Sequence, residues 1–137
     1  MTHKGQITKE DWEKLPSSFR RVRLELAREK GHPEGDRRSG YTLVVPLDAD
    51  GRIDAALWQK YHEFCRVVRF RRDAAGEVGH LVRKPGGAWA FRYDIKGEDE
   101  EETGYHFSLE HFAPGEYVSV READGLHPFR VISVEPV

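Results

Sequence analysis

The side chains in this chain that could do chemistry are seven histidines, one cysteine and an uneven spread of charge. The densest histidine group is His106, Glu110 and His111. Imidazole and carboxylate are ligands for zinc-class ions, but histidines five apart do not reproduce the i, i+4 helical pair that such sites use. His62 and Cys65 lie three apart on one expected helix and would supply two ligands, short of the four in a structural zinc site. These spacings assign no metal site. Cys65 stands beside Arg66 and Arg69, and nearby cations lower a thiol pKa. The competing reading is a small hydrophobe in the core, the usual role of a lone cysteine. With one cysteine, an internal disulfide is excluded. No G-x-S-x-G elbow and no phosphate-binding glycine loop is present. "KPGG" is the size of a turn. "EDEEE" pairs carboxylates, yet it reads as a solvated loop that cannot hold them in catalytic geometry. No catalytic residue and no cofactor is assigned.

Charge offers a second route to function. Residues 60–96 carry nine Lys or Arg against four Asp or Glu, whereas residues 97–137 carry two against ten. Two segments of opposite sign either neutralise each other across neighbouring strands or form a basic face beside an acidic one. If the sheet curls, Arg83, Lys84 and Arg130 become the candidate contacts for a small anionic ligand, with His106 or His111 as a titratable neighbour. A nucleic-acid-binding barrel is the alternative. It would use Arg66, Arg69, Arg71, Arg72, Arg83, Lys84 and Arg92, with Trp89, Phe91 and Tyr93 as stacking rings. Strict alternation of those rings with Ala88, Ala90 and Arg92 instead predicts a row facing a core.

The elements that must position these residues are mostly strands. Val22, Leu24 and Leu26 alternate with charged residues, as in a half-buried strand. "YTLVVPL" reads as a strand buried on both faces at Val44 and Val45. "CRVVRFRR" reads as one whose arginines face solvent. "GHLVRKPGGAWAFRYDI" is the clearest hairpin, with Pro85-Gly86 as the central pair of a type II turn. "GYHFSLEHF" reads as a strand entering a turn, and "EYVSVRE" and "HPFRVISVEP" as a final hairpin. Two short helices are signalled. Thr8 and Asp11 have capping-box spacing, and Asp54 caps a stripe of Leu57, Trp58, Tyr61 and Phe64. "REKGHPEGDRRSG" and "KGEDEEETG" read as loops.

Two resemblances follow from longer stretches. "HFAPGEYVSV" followed by "FRVISVEPV" resembles one hairpin of the ferredoxin-reductase-like flavin barrels. In those barrels an Arg-x-Tyr-Ser motif meets the flavin phosphate and ring. Arg130 and Ser133 match the Arg and Ser, while Ile132 stands where the aromatic belongs. "GHPEGDRRSGY", "PLDADGRIDAALW", "RKPGGAWAFRYD" and "FAPGEYVSV" with "FRVISVEP" resemble a family of small uncharacterised bacterial proteins, which implies no activity and no catalytic residues.

The sequence therefore predicts an α+β protein with a mostly antiparallel, strongly bent sheet or small β-barrel and one or two short helices. It predicts a single domain over 1–137, with an N-terminal helical segment at 1–18 and a β-rich body at 19–137 that carries a helix near 54–64. No apolar run reaches the ~20 residues of a membrane helix, and the N-terminus lacks a signal-peptide core, so a cytoplasmic location is expected. The expected function is a binding or accessory module rather than an enzyme, with a small anionic ligand or a protein as partner. The alternatives are a nucleic-acid-binding barrel and a flavin- or metal-dependent enzyme.

Overall fold

The computed structural model describes residues 7–94, 101–105 and 107–137. Its eight strands are β1 (Phe19–Leu26), β2 (Asp36–Pro46), β3 (Arg66–Arg71), β4 (Ala74–Arg83), β5 (Trp89–Tyr93), β6 (Glu101–Tyr105), β7 (Tyr117–Glu122) and β8 (Gly125–Pro136). Each pairs antiparallel with the next, and β8 returns to pair with β1, which closes the sheet. The fold is the small α+β barrel that the strand pattern predicts. Closure gives each of the eight described strands a partner on both sides, and eight strands enclose a space that side chains can fill. No helix among the described residues is long and apolar enough to cross a membrane.

The interior follows from period-two alternation. Leu24 of β1, Leu43 of β2, Val67 of β3, Leu81 of β4, Phe91 of β5 and Val120 of β7 are all buried. Trp89, Phe91 and Tyr93 face inward together, so these rings are packed in the core and not displayed for stacking on a base. Val44 and Val45 are buried on opposite faces of β2, as their apolar run predicts.

The up-and-down order separates the connections. Those joining β1–β2, β3–β4, β5–β6 and β7–β8 lie at one end, here called the mouth. Those joining β2–β3, β4–β5 and β6–β7 lie at the other, here called the stopper. The stopper is aromatic. Helix α1 (Lys9–Glu13) carries the complete capping box of Thr8 and Asp11, and α2 (Ala55–Tyr61) is capped by the Asp54 carboxylate. Such short helices are stable only through packing. Trp12 meets Phe64 edge-on at 5.1 Å, and Trp58 meets Trp89 edge-on at 5.2 Å. The Trp58 indole donates to the Leu81 carbonyl at 2.9 Å, tying α2 to β4. Phe107 packs on Phe112, whose N–H donates to the Gly51 carbonyl at 2.8 Å. A Cβ on Gly104 would enter the Phe107 ring, so β6 needs glycine there to admit the plug. The β4–β5 turn has Pro85 and Gly86 as its central pair, with Gly86 at φ 89°.

Three local expectations are corrected. β2 begins at Asp36, inside the stretch that reads as a loop, because the Asp36 carboxylate is anchored by Arg72, Ser39 and the Arg38 N–H. β6 begins at Glu101, inside the acidic stretch, and Glu102 is buried because it meets Tyr93 and Arg69 across the barrel. After β6, Phe107–Leu109 form the turn that this stretch predicts, which folds Phe107 over the stopper. Arg69 leaves the solvated face expected of β3, because its position continues the inward row of Val67.

Candidate functional site

At the mouth, the inward rows change character. Val67 is followed two residues on by Arg69, and Phe91 by Tyr93. Val120 is followed by Glu122, Gly104 is preceded by Glu102, and Phe129 is preceded by His127. Each step of two keeps the side chain on the inner face. One polar layer therefore caps the apolar core, contributed by β2, β3, β5, β6, β7 and β8.

Arg69 is the hub of that layer. Its guanidinium pairs with Glu102 through Nη1 and lies 3.2 Å from Glu122 Oε1 through Nη2, with only 12% of its side chain exposed. The Tyr41 hydroxyl donates to Glu122 and the Tyr93 hydroxyl donates to Glu102. Burial, then the neighbouring carboxylates, push both phenols far above their ordinary range, so they act as donors. Burial also raises the Glu102 pKa, against the opposing pull of its Tyr93 hydrogen bond and Arg69. Glu102 Oε2 is buried without a hydrogen bond and faces Arg69 only through charge. A buried carboxylate needs such compensation, because desolvation otherwise favours its neutral form.

His127 links this layer to the loops. Its Nδ1 lies 2.9 Å from both Glu29 oxygens. Its Nε2 lies 2.7 Å from Asp124 Oδ1 and 3.9 Å from Glu122 Oε1. Burial works against a charge on the ring, but the hydrogen bonds to Asp124 and Glu29 outweigh it and the His127 pKa is raised. The same bond from His127 holds the Asp124 carboxyl below its ordinary range. Glu29 also lies 3.5 Å from His32.

A cleft of about 160 Å³ opens here, bordered by Glu29, Arg69, Glu122, Asp124, His127 and Phe129. Arg71 lies on its rim with its guanidinium turned 3.7 Å from Glu77. Arg72 stands outside the cleft and grips Asp36 at 2.8 and 3.2 Å, which fixes the start of β2 beside the mouth. That grip, with the Arg38 N–H, lowers the Asp36 pKa to about 2. Four carboxylates thus surround one guanidinium and one imidazole. The arrangement can accept positive charge or hydrogen-bond donors at an opening that Leu26, Phe70 and Phe129 share with polar side chains.

The residues singled out from sequence lie elsewhere. Arg83 and Lys84 close β4 at the stopper end, where Arg83 lies 5.4 Å over the Trp89 ring. Arg130 is exposed on β8, in an outer groove shared with Arg28, Arg37 and Tyr117. His111 is at the stopper, its Nδ1 2.5 Å from the Asp50 carbonyl and its Nε2 3.4 Å from Arg52. His106 lies outside the described residues. Arg83 and Lys84 are neighbours, and Arg130 is not brought to them. Cys65 is fully buried, and burial pushes its thiol up to about 12, which leaves no thiolate for chemistry near neutral pH.

Sequence reasoning passed over Glu102, Glu122 and His127 and placed Arg69 on a solvated face. The signal that finds them is the same alternation, carried one step past the last apolar residue of each strand. Comparison of the chain with protein-family models, with curated proteins and with solved structures gives no match.

Proposed function

We propose that this protein is a small binding module whose ligand seats a positively charged group in the barrel mouth. The observation that carries this reading is the convergence of Glu29, Glu122 and Asp124 on a cleft whose inward guanidinium, Arg69, is already paired to Glu122 and to the buried Glu102. Arg69 is held by two of those carboxylates, so an added anion would compete with Glu102 and Glu122 for one guanidinium. A cation would instead relieve the repulsion among acids that burial intensifies. The rest of the interior is filled by aromatic and aliphatic side chains, which suits a rigid frame that presents one polar opening.

Thermal melting with small organic cations such as methylguanidine and putrescine, set against phosphate and citrate, tests this reading. A cation at ~100 times its dissociation constant adds ~2.7 kcal/mol. For a chain of this size that is a rise of roughly 5–10 °C. The rise should vanish in the Glu122→Gln, Asp124→Asn double variant. Stabilisation by the anions alone would overturn the reading and return attention to Arg83, Lys84 and Arg130.

A further inference from the structure

We infer that His127, Glu122 and Asp124 form a site for one first-row divalent cation of the zinc class, with Glu29 as the positioning residue that aims the imidazole. The inference rests on the reading of the mouth as a cation site and names the chemistry of the cation.

Three features carry it. First, the three donor atoms, one imidazole nitrogen and two carboxylate oxygens, lie within 4.8 Å of one another. Ligands about 2.1 Å from a metal sit roughly 3–3.5 Å apart in tetrahedral or octahedral geometry. His127 Nε2 is 2.7 Å from Asp124 Oδ1 and 3.9 Å from Glu122 Oε1, which brackets that spacing. Second, the far nitrogen of the ring is already held. Glu29 spans His127 Nδ1 at 2.9 Å with both oxygens. A carboxylate on the remote nitrogen is the support that metal-ligating histidines use to fix the tautomer and direct the other lone pair. The nitrogen so directed meets two carboxylates at the wall of a cleft of about 160 Å³. Third, the guanidinium of the mouth is already committed: Arg69 pairs with Glu102 Oε2 and with Glu122 Oε1.

A mixed nitrogen and oxygen set selects zinc, iron or manganese over calcium, which takes six to eight oxygens, and magnesium, which seeks an octahedron of oxygens. Three protein ligands leave at least one position open, so the bound ion would present a face to a further ligand in the cleft.

The full chain, freed of metal by a chelator, is titrated calorimetrically with zinc chloride and, as a spectroscopic probe, with cobalt(II) chloride. The expected result is one equivalent per chain and visible cobalt bands of a low-coordinate nitrogen and oxygen site. Asp124→Asn keeps the fold, because 76% of that side chain is exposed, and it should weaken zinc at least tenfold with the melting temperature of the metal-free protein unchanged. Glu29→Gln should weaken zinc about tenfold, as loss of a supporting carboxylate does. Wild-type zinc affinity in both Asp124→Asn and His127→Gln would place the ion elsewhere and overturn the inference, as would the absence of saturable binding. Methylguanidine that stabilises the wild type while zinc does not would leave the cation mouth standing and remove the metal. If neither binds, both readings fall.

Discussion

The two ends of this barrel are closed by opposite means. At the stopper, α2 and the β6–β7 connection lay Trp58, Phe107 and Phe112 over the core, and few polar atoms are involved beyond the Trp58 indole. At the mouth, the same inward rows end in Arg69, Tyr93, Glu102, Glu122 and His127, and closure depends on charges that hold one another. The apolar end gains from area removed from water and tolerates little change of shape. The polar end gains little net stability from its ion pairs, because desolvation offsets attraction. It becomes costly only when one partner is taken away. A barrel that needed only to be stable would be stoppered twice. The difference assigns structure to one end and ligand chemistry to the other.

The largest expected effect tests the stopper. Trp89→Ala should destabilise by ~3–5 kcal/mol, as large aromatic truncations in cores do. Chemical denaturation would measure it, and a change below ~1 kcal/mol would mean that the stopper is loosely packed. The next tests the mouth. Arg69→Met should cost ~2–4 kcal/mol, because Glu102 and Glu122 then face each other without a cation. Adding Glu102→Gln should restore ~1–2 kcal/mol of that loss, a coupling that Trp89→Ala combined with Glu102→Gln should not show. Additive behaviour of Arg69 and Glu102 would erase the distinction between the ends. The smallest effect concerns the mouth's outer brace. The Asp36 pKa is lowered in the fold to about 2, against ~3.9 unfolded. Its contribution is therefore fully present above about pH 4 and is lost as pH falls through 2. Solvent around the half-exposed Arg72 reduces the contribution to about 1 kcal/mol. Asp36→Asn should remove that part of the acid dependence, and urea titrations between pH 2 and 5 would show it. An unchanged acid limb would mean that the brace carries no stability.

Much of the barrel is legible in the sequence, for definite reasons. Trp89, Phe91 and Tyr93 alternate without interruption, Pro85-Gly86 names its own turn, and Thr8 and Asp54 mark helix starts by hydrogen bonds local to the chain. Those signals depend on neighbours in sequence. β6 is hidden because Glu101 and Glu102 continue an acidic run in the sequence. What turns Glu102 inward is Arg69, on β3, which lies far away in sequence and three strands away around the barrel. The upstream half of β4, Ala74–Glu77, is equally quiet, with little apolar content of its own and strand form imposed by pairing to β3. The mouth was hidden for both reasons: its residues are polar, and their partners come from other strands. His127 meets Glu29 across nearly the whole chain, a contact no local window contains.

The seam between β1 and β8 has a consequence for how the chain reaches this state. Arg20 pairs with Pro136 and Val22 with Val134, so the last ladder to form joins residues more than a hundred positions apart. Loop-closure entropy must be met before those pairings contribute, and topologies dominated by distant contacts fold slowly. During synthesis β1 emerges first and waits for its second partner until β8 has left the ribosome. In that interval the sheet is an open ribbon with two adhesive borders, the kind of surface on which growing chains associate with one another. The seam thus makes completion of β8 the event that converts an aggregation-prone ribbon into a self-contained particle, and a chain shortened within β8 would retain both borders.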